Sequence, residues 1–140
     1  MKFEYFNPNP KQRYTRDGKP MKWHKGDCHI RAVAKALDIS WKDTLKLEYE
    51  EAMRQCDAVG SNKVIDAVLQ QNGFKKGRIR QEWVNVHHRR PTFRELLNVD
   101  MWKDKVIVGN LTRHIATAVN QTVYDTWDCS NEVLWSFWYK

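Results

Sequence analysis

Residues 25–37 read KGDCHIRAVAKAL. Ile30, Val33, Ala34 and Leu37 recur at i, i+3, i+4 and i+7, the spacing that lays one apolar stripe along a helix. Asp27 stands just ahead of the stripe, where a carboxylate can accept hydrogen bonds from the unpaired amides of a first turn. The helix is therefore expected to open after Asp27, with Cys28 in its first turn. A thiol gives up its proton more readily there, because free amides and the positive end of the helix dipole stabilise the thiolate.

Further helices follow downstream. Ser40 and Asp43 resemble a capping box, opening a helix whose buried face is expected to be Trp41, Leu45, Tyr49, Ala52 and Cys56. A third helix is expected from Ser61, burying Val64, Ile65, Val68 and Leu69 and stopping near Gly73. Thr92 with Glu95 marks a short fourth one carrying Phe93, Leu96 and Leu97. Beyond about residue 105 the pattern turns to strands at Val106–Val108, Ile115–Val119, Thr122–Tyr124 and Val133–Trp138, rich in β-branched and aromatic residues. Asn120-Gln121 is expected to join the middle two as a tight hairpin. Helices first and an antiparallel sheet last predict an α+β fold, the Cys28 helix packed on the sheet. Residues 1–26 read as an N-terminal arm with a short strand at Phe3–Phe6, and the whole of 1–140 as a single domain.

Composition narrows the class. The chain has 140 residues, 29% charged and 41% hydrophobic, with seven Trp, five Tyr and five Phe, enough to fill a core without disulfides. Three cysteines (Cys28, Cys56, Cys129) at unrelated spacings argue against a disulfide framework. On this reading Cys56 belongs to the apolar stripe of its helix and Cys129 is incidental in a polar turn. No stretch reaches the ~20 apolar residues of a membrane span, and the amino terminus lacks a signal peptide's apolar centre. The expected location is cytoplasmic, with no membrane partner. Formal charge is +7, and residues 75–90, KKGRIRQEWVNVHHRR, hold six Lys or Arg against one acid. A solvated basic loop is the plain reading of that stretch. Lys75, Lys76, Arg78 and Arg80, with Trp83, could also hold nucleic acid by phosphate contacts and stacking. His87-His88 lacks a further ligand at metal spacing, so neither a metal nor a cofactor is expected.

A thiol nucleophile needs a base, and His29 points roughly 100° away from Cys28 around the helix. His114, at the head of the strand in RHIATAVNQTVYDTWD (residues 113–128), is the candidate. Asp125, one hairpin later, can orient the imidazole, with Asp128 in reserve.

KGDCHIRAVAKAL resembles the cysteine-helix motif of papain-like peptidases, especially compact bacterial and phage versions. RHIATAVNQTVYDTWD resembles their histidine strand followed by the strand bearing Asp or Asn. These motifs span about thirty residues, and the matching element order extends to roughly residues 20–140. The resemblance implies a peptide or protein substrate and a Cys28–His114–Asp125 triad of peptidase, isopeptidase or amidase type. Such enzymes usually carry a Gln shortly before the cysteine to hold the oxyanion, whereas this chain reads MKWHKGDC there. Trp23, His24, the Cys28 amide or the distant Gln12 are the substitutes, and Trp127 is a candidate for lining the cleft. The alternative is a non-catalytic module of the same fold, such as a phage-encoded one, gripping a host protein or nucleic acid through its basic loop.

Overall fold

The computed structural model describes residues 1–11, 16–19 and 26–140. Trp23, His24 and Gln12, named above as oxyanion donors, lie outside the described residues. In chain order the elements are β1 (Lys2–Tyr5), α1 (Cys28–Leu37), α2 (Trp41–Gln55), α3 (Asn62–Gln71), β2 (Lys75–Gly77), α4 (Gln81–His87) and α5 (Phe93–Leu97). A 3-10 turn (Asp100–Trp102) then leads to β3 (Val106–Leu111), β4 (His114–Val119), β5 (Thr122–Asp125) and β6 (Leu134–Tyr139).

The α+β order is as expected, but the sheet is mixed rather than antiparallel. Its order is β1-β5-β4-β3-β6-β2, and β1 lies parallel to β5 along the edge. The first residues are thus an edge strand, which no local pattern distinguishes from an antiparallel one. Between β4 and β5, Asn120 and Gln121 both take positive φ, 49° and 63°. That geometry matches the right-handed twist of adjoining strands, so the hairpin is tight without glycine.

Side-chain alternation along the strands gives the sheet two apolar faces. Val108, Ile115 and Trp138 pack with Ala32 and Val33 of α1 and with Ile65, Val68 and Leu69 of α3. Ile107, Ala116, Ala118, Val123 and Phe137 turn the other way onto Phe93 and Leu97 of α5. α5 opens on the full capping box, Thr92 and Glu95 each satisfying the other's backbone. Gly109 lets Phe93 lie flat on the sheet, since a Cβ there would come within 2.9 Å of the ring.

Three expectations on the helices are corrected. The buried residues of α2 are Thr44, Glu48, Glu51 and Ala52, while Tyr49 is 55% exposed. Cys56 is exposed too, because it adopts the left-handed conformation that terminates α2. The basic stretch 75–90 is not one loop but β2 followed by α4, a helix with no buried residue and hence no apolar stripe to announce it. No helix among the described residues is long and apolar enough to cross a membrane.

Candidate active site

Cys28 is the first residue of α1, half-buried, with Asp27 at the N-cap. Five consecutive residues, Ile30 to Ala34, are buried, because α1 runs between the sheet and the other helices. Thr117 of β4 donates to the Ala32 carbonyl at 2.6 Å, a buried bond that fixes α1 against the strand carrying His114. Cys28 is thereby held against the head of β4. Burial pushes its thiol up, but a hydrogen bond and charge from His114, the Ile115 amide and the His29 charge outweigh it. The net pKa lies below the usual 9.0.

The His114–Asp125 contact follows from strand register. Thr117 pairs with Tyr124, so Asp125 stands opposite Ala116 and diagonally across from His114 on the same face. His114 Nε2 and Asp125 Oδ2 lie 2.5 Å apart, the side chains 10% and 3% exposed. Burial alone would lower the imidazole's pKa. Hydrogen bonds to Asp125, Cys129 and Cys28 and the Asp125 charge raise it to about 11. Burial raises Asp125, yet the His114 bond and charge, the Thr126 amide and Arg31 hold it below the usual carboxylate value. Sulfur, imidazole and carboxylate therefore favour an ion pair of thiolate with imidazolium. The neighbouring Trp127 ring lies 5.0 Å from the imidazole, centroid to centroid, and is 39% exposed. Asp128, the reserve carboxylate, turns instead to the Ser130 amide and to Arg94.

Arg31 ties the two halves together. Its guanidinium meets Asp27 and, at 3.2 Å, Asp125 Oδ1, although Arg31 is only 3% exposed. Asp27 consequently departs from the role expected of it, making no side-chain cap bond. Its carboxylate instead accepts from Arg31, from Trp41 Nε1 at 3.0 Å and from Asn9 at 3.1 Å. Burial opposes the charge on Asp27, but Arg31 and these donors leave its pKa lowered. The Asp27–Arg31 spacing of four residues was a readable helical ion pair. Its reach to Asp125, 94 positions away, was not.

Cys129 is corrected most sharply. It is fully buried rather than an incidental turn residue, with its sulfur 3.5 Å from Asp125 Oδ2. The polar stretch around it, TWDCSN, hides this. Burial and the Asp125 charge raise its pKa, outweighing His114. Ligand atoms of His114, Asp125 and Cys129 fall within 4.8 Å of one another. Two ligands of a tetrahedral zinc stand about 3.3 Å apart, given Zn–N and Zn–O bonds near 2.0 Å. The 2.5 Å between Nε2 and Oδ2 fits a shared proton better than a shared ion.

Lys75, Lys76, Arg78 and Arg80 lie on and just beyond β2, the strand at the opposite sheet edge from β1. They are not part of the Cys28 cluster. Compared with known proteins, the chain matches no family model, no curated protein and no solved structure.

Proposed function

We propose that the protein is a thiol hydrolase of papain-like design acting on peptide, isopeptide or related amide bonds. The observation that carries this reading is the 2.5 Å His114–Asp125 contact beside Cys28, in surroundings that acidify the thiol and make the imidazole basic. Asp125 occupies Nε2, which leaves Nδ1 of His114 to exchange a proton with the sulfur. The Cys28 thiolate attacks the carbonyl carbon, and the oxygen takes up the negative charge. Among the described residues, the Cys28 backbone amide, in the first turn of α1, is a donor available to that oxygen. The tetrahedral species collapses as the imidazolium protonates the leaving amine, giving a thioester on Cys28. Water, deprotonated by His114, then attacks the thioester and releases the acid, and the thiolate–imidazolium pair is restored.

Cys129 serves as a buried thiol rather than the nucleophile, since its pKa is raised and it has no exposed surface. A nucleophile that must stay reduced suits a reducing compartment such as the cytoplasm. The test is iodoacetamide labelling at neutral pH, read by peptide mass, alongside turnover of amide substrates. Cys28 should label first, and Cys28→Ala should end the fast labelling and the turnover while the melting curve holds. Faster labelling of Cys56 or Cys129 in the native protein would sink the assignment.

A further inference from the structure

A cavity of about 510 Å³ opens at the β2–β6 edge, away from the thiol. His114 is level with Leu111 and Tyr139 with Ile107, and β3 lies between β4 and β6. Four residues along the strands and two strand spacings across put Tyr139, in the cavity wall, about 16 Å from His114. The cavity shares no residue with the Cys28 cluster, and its volume suits a small molecule.

Its walls have two characters. Trp102, Phe137 and Tyr139 form an aromatic side, with ring centroids 5.1–6.1 Å apart. Trp83 of α4 also lines the cavity, with the His87 ring stacked on it at 3.9 Å and the Arg89 guanidinium over it at 5.2 Å. Val99 and Met101 line the same cavity while 46% and 59% exposed, an apolar lip that a solvated loop does not need. The second character is basic. Arg78 and Arg80 are exposed cations in the lining. Two residues apart in an extended segment, they project to one side, while Ile79 between them packs on the core. Among the described residues neither forms an ion pair, whereas Lys76 lies 3.8 Å from Asp66. The one acid in the lining, Glu95, is already engaged by both guanidinium nitrogens of Arg89, at 2.7 and 2.9 Å, and by Thr92.

We propose that this cavity binds a nucleotide, its base against the Trp102 and Tyr139 rings and its phosphate on Arg78 and Arg80. A flat π-face satisfies the rings, and guanidinium forks fit phosphate oxygens. The ligand comes either as a free nucleotide or as the end of a single strand, and comparing the two affinities tells them apart. This site stands independently of the hydrolase reading.

Calorimetric titration with adenosine monophosphate, inorganic phosphate and a single-stranded RNA octamer tests it. The monophosphate should bind at least tenfold more tightly than phosphate alone. Arg78→Glu with Arg80→Glu should weaken it tenfold or more. Met101→Glu, a surface change on the apolar lip, should weaken it as well. An octamer bound more tightly than the monophosphate, with a steep salt dependence, assigns the single strand as the source; equal affinities assign the free nucleotide. Phosphate binding as well as the monophosphate, no heat from either nucleotide ligand, or binding that persists in both the double-arginine and Met101 variants would overturn the proposal.

Discussion

Cys28 and Cys129 both reach the His114 imidazole, yet their surroundings treat the two thiols differently. Cys28, at a helix start, keeps a route to solvent and is acidified, whereas Cys129 has none and lies beside the Asp125 carboxylate. Removing the imidazole should raise both thiols, but only the change at Cys28 is read by alkylation, since Cys129 has no exposed surface. In His114→Ala the pH midpoint of Cys28 alkylation should rise to the free-thiol region of about 8.5 or above. Cys129→Ser should leave the midpoint near its native value. A His114→Ala midpoint equal to the native one would mean that the helix terminus alone acidifies the sulfur.

Two contacts between elements set the geometry. Arg31 holds the start of α1 to the end of β5 through Asp27 and Asp125. Arg31→Met should cost about 3–5 kcal/mol in urea unfolding at pH 7, because it leaves buried Asp27 with only the neutral Trp41 and Asn9 donors. Both carboxylates have depressed pKa values in the fold, so the stability they contribute is complete above about pH 3.9 and is lost as pH falls through the folded values. The gap between native and variant should accordingly narrow in acid. The β4–β5 turn offers a second test. Gln121 sits at φ 63° and donates to the Leu97 carbonyl at 2.6 Å. Gln121→Ala loses the bond and keeps the strain, whereas Gln121→Gly loses the bond and relieves it. The glycine variant should be the more stable of the two by about 1 kcal/mol.

Across the whole molecule, stability should fall at both ends of the pH range. On the acid side, Asp27, Asp125 and Glu95, the last held at about 2, lose their contribution as they protonate. On the alkaline side the imidazoles act with the opposite sign. Burial lowers the His29 pKa, but its 2.8 Å bond to buried Glu48 leaves it raised. Its contribution is complete below pH 6.5 or so and is lost as pH rises through the folded value. His114 behaves alike, with its loss extending towards pH 11. Glu48→Gln should remove the nearer part of this alkaline decline and leave the farther part, as read by urea midpoints from pH 6 to 10. A decline unchanged by the substitution would place the titrating group elsewhere.

The sequence by itself determined the features that repeat over a few residues. The apolar stripe of α1, the Thr92–Glu95 box, the β4–β5 hairpin and the order of thiol, imidazole and carboxylate are written in periods of 3.6 and 2 and in turn chemistry. The tertiary structure alone decided that β1 runs parallel beside β5, that Cys129 is inside and Cys56 outside, and that Arg31 spans α1 and β5. It also decided that Arg78 and Arg80 share a cavity with Trp102 and Tyr139. Each of these depends on partners tens of residues away, and burial and charge pairing over such distances leave no periodic trace along the chain.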